Sequence, residues 1–349
     1  MDDARLVVLN AMQARHYGAT ILTRTHCEAL TPATLGADSI WVARLRDSAS
    51  GEMRLVNARC VVNAAGPWVS SLGRELQPQT SHEQVRLVKG SHLVVPRIHD
   101  REEAYLLQNA DGRVVFVIPY EEHYSLIGTT EQDFEGDPAK ASISEEEVDY
   151  LLGVAARYFK NVPDKTRVKY HFSGVRPLMD DETENASKAS RDYTLTLDNN
   201  PVPVLSVYGG KITTYRKLAE SAMHKLKSVF PDMKPAWTAT AALPGGDFFS
   251  RDELQAQLLR QYPWLDPSLA KAWVNRYGTL THTLLAGATC REDLGRWIGP
   301  GLYECEVRYL HQYEWARTSA DILWRRTKLG LSFSAAEQAL LEEVLAGLG

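Results

Sequence analysis

The chain has 349 residues, 44% hydrophobic and 24% charged, with 39 Lys and Arg against 44 Asp and Glu for a net charge of −5. At roughly 150 residues per domain, this length suggests two domains, and the slightly acidic balance argues against a general nucleic-acid binder. No apolar run approaches the ~18 residues needed to span a bilayer, and the acidic opening Met-Asp-Asp-Ala-Arg lacks the blocks of a signal peptide.

In chain order, residues 2–11 read as a helix with nothing before it to pack against, the opening expected of a truncated chain. Cys60-Val61-Val62 reads as a short buried strand running into the turn Asn63-Ala64-Ala65-Gly66-Pro67. Residues 113–118 and 125–128 are predicted to form a hairpin around a polar turn at 120–124. A helix follows. Ser144 and Glu147 form its capping box, and Val148, Leu151, Leu152, Ala155 and Phe159 fall on one face. After Leu243-Pro244-Gly245-Gly246 the strand signals fade. Ser250 with Glu253 and Ser334 with Glu337 are further capping boxes, and helical stretches are expected around 267–277, 302–326 and 334–346. These shifts place a boundary near 245, between a mixed α/β body and a helical domain. The four cysteines, Cys27, Cys60, Cys290 and Cys305, include no CxxC pair. That fits neither a disulfide scaffold nor a zinc site, and no metal is expected.

Four segments carry candidate chemistry. Val207-Tyr208-Gly209-Gly210-Lys211-Ile212-Thr213-Thr214 joins an apolar run to a helix through two glycines. Glycines there let backbone approach a ligand closely, and the helix start offers N–H donors; an ordinary strand–turn–helix connection is the alternative. In Ser173-Gly174-Val175-Arg176-Pro177, stiff backbone holds an arginine suited to gripping phosphate or carboxylate. Arg191 follows an acidic loop, and with Arg176 and Lys211 it would complete a phosphate pocket, unless each is a surface cation. Val62-Asn63-Ala64-Ala65-Gly66-Pro67-Trp68 reads either as a nucleotide-contacting turn or as a plain one. In Lys89-Gly90-Ser91-His92, His92 enters an apolar strand, as a core histidine or a catalytic one. The dinucleotide fingerprint GxGxxG is absent from the chain.

Taken together, VNAAGPWV, RLVKGSHLVVP, VFVIPY with IGTT, SGVRPLMDDE, SRDYTL, YGGKITTYRKLAE, PAWT with LPGG, and LWRRTKLGL occur in order across essentially the whole chain. They resemble the aerobic, FAD-dependent glycerol-3-phosphate dehydrogenases of bacteria, members of the D-amino-acid-oxidase-like flavoprotein superfamily. The resemblance implies an α/β (α+β) flavoprotein body lacking its first Rossmann βαβ unit, with a mixed-sheet substrate region and a C-terminal all-α domain. Residues 1–245 would be a partial FAD-binding and substrate-binding domain, with the substrate sheet at roughly 80–190, and residues 246–349 the helical domain.

The same resemblance implies oxidation of sn-glycerol 3-phosphate to dihydroxyacetone phosphate by hydride transfer to FAD, with electrons passed to ubiquinone. Arg176 would lie near the reacting hydroxyl, Arg191 nearer the phosphate, and Lys211 between flavin and substrate. Gly209, Gly210, Ile212 and Thr213 would contact the isoalloxazine, Ala65, Gly66 and Trp68 the ribityl or pyrophosphate side, and Cys27 the adenine. His92, Arg176 or Lys211 would handle the hydroxyl proton or the alkoxide. The intact enzyme would be a homodimer, peripheral on the inner face of the bacterial cytoplasmic membrane. The basic amphipathic stretch Thr214 to Phe230 would lie on the lipid surface or pack on the flavin domain. Two alternatives stay open: another FAD-dependent oxidase of the superfamily, or a non-catalytic remnant serving assembly or partner binding.

Overall fold

The computed structural model describes residues 2–76, 83–179 and 192–348. They form two compact units, one of residues 24–236 and one of residues 1–23 together with 237–349. The N-terminal helix α1 (Asp3–His16) therefore belongs with the C-terminal helices, not with the first domain in which a boundary near 245 would place it. The reason lies in its buried side, which is Arg5, Val8 and Met12. Arg5 pairs with the fully buried Glu314, and Lys328 Nζ grips the helix-capping Asp2 at 2.7 Å.

In the unit of residues 24–236, β1 (Thr25–Leu35), β2 (Asp38–Asp47) and β3 (Met53–Ala58) form an antiparallel sheet. β4 (Val61–Asn63) leads through the 3₁₀ turn Gly66–Trp68 into α2 (Val69–Leu76). Next come β5 (Val85–Pro96), β6 (Tyr105–Gln108), β7 (Val114–Tyr120), β8 (Tyr124–Gly128), β9 (Gln132–Asp133), α3 (Glu145–Tyr158) and β10 (Tyr170–Met179). β11 (Tyr193–Asp198), β12 (Val204–Gly209) and α4 (Tyr215–Leu226) close the unit.

The substrate-region sheet has the order β10-β5-β8-β7-β6, with β9 beside β5, and every pairing in it is antiparallel. Mixed pairing occurs instead in the neighbouring sheet β11-β12-β4, where β12 runs antiparallel to β11 and parallel to β4. One face of the larger sheet is covered by α3. Leu93, Val95, Val115, Val117 and Ile127 pack there against Leu151, Leu152 and Ala155, as alternating strand residues and a 3.6-residue helical stripe require. The expected capping box of Ser144 and Glu147 is formed.

α4 turns Ala222 and Leu226 into a core with Leu195 and Leu205, and Val229 packs on the same cluster. The apolar side of this basic helix is thus covered by its own sheet, so the packed arrangement holds, and Lys225 and Lys227 are exposed. Val62 is 49% exposed, contrary to the buried strand expected, because among the described residues β4 pairs with β12 alone.

The other unit continues with α5 (Arg251–Gln261), α6 (Pro267–Tyr277), α7 (Thr281–Leu284), the ribbon β13 (Trp297–Gly299) and β14 (Leu302–Tyr303), α8 (Glu304–Tyr313), a π-helical turn Asp321–Arg326, and α9 (Ala335–Ala346). It is helical apart from that ribbon. The single helical stretch expected at 302–326 is broken where Trp315 takes φ 54°, a left-handed conformation that a helix cannot pass through. Ser334 and Glu337 form their box, whereas Ser250 makes no side-chain cap. Among the described residues no helix is long and apolar enough to cross a membrane.

Candidate active site

β5 supplies the floor of the site. Its odd-numbered residues Lys89, Ser91, Leu93 and Val95 are buried on the α3 side, so the even-numbered ones look the other way. Register then assembles that second face. Gly90 is paired with Gly174, His92 with Phe172 and with Gly128, and Arg176 stands two pairs beyond Gly174, opposite Val88.

Two glycines inside these strands make room for the functional side chains. A Cβ on Gly90 would stand 2.6 Å from Thr129 Oγ1 and 2.9 Å from Arg176 Nη2, so the guanidinium lies over Gly90. A Cβ on Gly128 would stand 2.1 Å from His92 Cδ2, so the imidazole lies across Gly128. The imidazole also stacks on Phe172, with centroids 4.9 Å apart and planes 10° apart. Gly90 and His92 are next neighbours on one face, about 7 Å apart. The geometry thereby brings the two sequence candidates, Arg176 and His92, side by side.

Arg176 Nη2 donates to Thr129 Oγ1 at 3.4 Å, and Nη1 is 3.8 Å from Glu131 Oε1. The Thr129 hydroxyl itself donates to the Thr130 carbonyl at 3.0 Å, which leaves its lone pairs for the guanidinium. Sequence reasoning missed Thr129, Glu131 and Phe172. The available signal was a glycine in each of two apolar strands, which marks a close approach.

A second set of candidates sits where the parallel strands β4 and β12 end. In open sheets, ligands bind beyond the carboxyl ends of parallel strands. The turn Ala65-Gly66-Pro67-Trp68 follows β4 and lies against β12 and β10. Gly209 ends β12 and Gly210 follows it, with φ of 72° and 101°, and a Cβ at 209 would come within 2.6 Å of the Asp192 carbonyl. Lys211 is exposed and caps the 3₁₀ turn Ile212–Thr214, which leads into α4. Trp68 and Ile212 expose 44% and 42% of their surface. Backbone stripped of side chains beside exposed apolar surface suits a flat ring system, so Gly66, Trp68, Gly209, Gly210, Ile212 and Thr213 fit a flavin.

β10 links the two sets. It runs alongside β12, and Met179 Cγ lies 3.7 Å from where a Gly209 Cβ would stand, three residues beyond Arg176. Cys27 is exposed at a bulge of β1, in a different sheet from these turns. Arg191 lies outside the described residues. No cluster of metal-binding side chains exists among the described residues.

A model of the FAD-dependent oxidoreductase family matches residues 1–216. The chain belongs to that family. A model of the C-terminal domain of alpha-glycerophosphate oxidase matches residues 236–349. Over 348 residues the chain is 47% identical to a glycerol-3-phosphate dehydrogenase of Pseudomonas aeruginosa, covering 99% of this chain and 67% of that protein. It is 46% identical to a D-erythritol 1-phosphate dehydrogenase of Brucella abortus, over 98% of this chain and 68% of the relative. The fold matches the crystal structure of the glycerol-3-phosphate dehydrogenase from Bacillus halodurans complexed with FAD, with a TM-score of 0.78, 24% identity, and coverage of 99% of this chain and 72% of that one. The expected flavoprotein body with a helical C-terminal domain, and FAD as its cofactor, stand confirmed.

Proposed function

We propose that this flavoprotein oxidises sn-glycerol 3-phosphate to dihydroxyacetone phosphate. The observation that carries this reading is the pairing of Arg176 and His92 on one sheet face, on a strand that runs against the Gly209–Gly210 turn. The substrate class is supported by the relatives, whose names specify polyol phosphates.

Within this reading FAD, when bound against Gly66, Trp68, Gly209, Gly210, Ile212 and Thr213, supplies the two-electron acceptor for the hydride leaving C2. Arg176 holds the 2-hydroxyl and stabilises the alkoxide that develops there, an electrostatic contribution that a preorganised fork makes well. His92 takes the hydroxyl proton, being the side chain whose ordinary pKa suits a general base near neutrality. Lys211 places a positive charge between flavin and substrate, and Arg191 holds the phosphate. Thr129 and Glu131 hold the guanidinium over Gly90, on the sheet face where the substrate would lie.

The acceptor in this reading is ubiquinone, and the enzyme is a homodimer on the inner face of the cytoplasmic membrane. The motif resemblance to the aerobic enzymes supports both points. With the apolar side of α4 covered, the membrane contact left to that helix is electrostatic, through Lys225 and Lys227.

The test is the visible spectrum of the purified chain after FAD is added and the excess is removed. Retained flavin bands that bleach anaerobically with sn-glycerol 3-phosphate are the expected result. A colourless protein would remove the enzyme reading for this polypeptide. Faster bleaching by D-erythritol 1-phosphate would move the substrate assignment to the longer polyol phosphate.

A further inference from the structure

The face of the substrate sheet opposite Arg176 and His92 carries a charged group that the reaction does not use. Glu147, on the first turn of α3, is 1% exposed and accepts four hydrogen bonds, two on each oxygen. Oε2 takes the Ser144 N–H at 2.9 Å and Lys89 Nζ at 2.8 Å. Oε1 takes the Thr130 hydroxyl at 2.6 Å and the Ser91 hydroxyl at 3.0 Å. The proton directions are fixed by counting. Thr130 Oγ1 donates to Glu147 and accepts from the Ser91 N–H at 2.9 Å. Ser91 Oγ gives its one proton to Glu147, so in the 2.8 Å contact between Ser91 and Ser173 it is Ser173 that donates.

The sheet residues that this carboxylate holds, directly or through Ser91, are immediate neighbours in sequence of residues that build the other face. Ser91 lies between Gly90 and His92, Ser173 precedes Gly174 in the strand of Arg176, and Thr130 follows Thr129. Thr129 and Thr130 aim their hydroxyls in opposite directions, one toward the guanidinium and one toward Glu147. We infer that Glu147 is a positioning residue of the substrate site, holding β5, β10 and the Thr129–Thr130 link in register from behind the sheet. This rests on the functional reading above and deepens it. In such an arrangement, a displacement of about 1 Å at the reacting groups is enough to lower activity on the order of 10²-fold.

Glu147→Gln tests this chemically. Ser144 N–H and Lys89 cannot accept hydrogen bonds, so the new amide turns its NH2 toward Thr130 and Ser91 and reverses the proton directions there. Thr130→Val removes the link itself. Ser144→Ala removes the cap that the Glu147 N–H uses at 3.3 Å while leaving the carboxylate's four donors in place. The measurements are sn-glycerol 3-phosphate affinity by calorimetry, the imidazole resonances of His92 by NMR, and the melting temperature. Glu147→Gln and Thr130→Val are expected to weaken binding roughly tenfold or more and to move the His92 resonances, at temperatures where both are folded. Ser144→Ala is expected to lower the melting temperature alone. Unchanged His92 resonances in Thr130→Val, or parallel loss of affinity and stability in all three variants, would overturn the inference. If Glu147→Gln does not fold, the comparison of Thr130→Val with Ser144→Ala decides. If the unmodified chain binds no sn-glycerol 3-phosphate, the substrate reading fails, and the His92 resonances, which need no ligand, still judge the positioning role.

Discussion

The guanidinium of Arg176 occupies the space that a side chain at position 90 would fill, with a Cβ there standing 2.9 Å from Nη2 and 3.0 Å from Nη1. Gly90→Ala should therefore lift the arginine off the sheet. Overpacking of this kind costs about 1–3 kcal/mol. Steady-state kinetics are expected to show it as a roughly tenfold or larger fall in kcat/KM, with circular dichroism unchanged. Equal kinetics in Gly90→Ala would mean that the arginine does not act from this position.

Arg176→Lys keeps the charge and loses the planar fork. A point charge on a flexible stem cannot hold both the Thr129 hydroxyl and a substrate oxygen in one plane. The expected loss in kcat/KM is on the order of 10²-fold, comparable to removing one preorganised donor from a transition-state site. A variant within a few-fold of the parent would assign Arg176 a general electrostatic role instead.

Much of this architecture is legible in the sequence. α3 and the β7–β8 hairpin were predictable because their determinants are local: a capping box, a helical apolar stripe and a polar turn between two β-branched runs. The Gly209–Gly210 turn announced itself through paired glycines at a strand end. Residues whose roles arise only from register were not legible. Glu147 reads in sequence as a helix cap, and only the folding of α3 across the sheet makes it the acceptor for Lys89, Ser91 and Thr130. The packing of α1 with helices more than 300 residues downstream lies equally beyond local pattern. So does the exposure of Val62, which depends on how many strands flank β4.

Glu147 also sets an acid limit for its unit. Burial pushes its pKa up, but the hydrogen bonds from Lys89, Thr130, Ser144 and Ser91 outweigh that and hold it below the ordinary value of 4.5. A carboxylate whose pKa is depressed by folding adds stability that is present above the ordinary value and is lost as pH falls through the folded one. Urea denaturation of the parent and of Glu147→Gln, followed from about pH 6 downward, should show a stability gap that narrows below pH 4.5. A gap independent of pH would mean that the charge of Glu147 contributes nothing.

In the helical unit, Glu314 is fully buried between Arg5 and Arg326, whose side chains are 8% and 11% exposed. Arg326 Nη2 also donates to the Glu314 carbonyl at 2.7 Å. Glu314→Ala leaves two buried guanidinium groups without their carboxylate, a change that typically costs about 3–5 kcal/mol. Urea titration is expected to report a loss of that size, partly recovered when Arg5 is changed to Met in the same chain. A loss below about 1 kcal/mol would show that water reaches the pair.

Arg5 and Glu314 are 309 positions apart. The helix that carries Arg5 is therefore made before residues 24–236, and its partner after them. During synthesis the whole of residues 24–236 emerges and can form its sheets before the segments that bury Arg5 are made, and a helix as short as α1 is marginal in water until it is packed. Completion of the helical unit must then wait for residues beyond Glu314, so translation that stops before that point leaves α1 bare, with an unpaired arginine and the apolar pair Val8 and Met12 exposed to the proteolytic machinery of the cell.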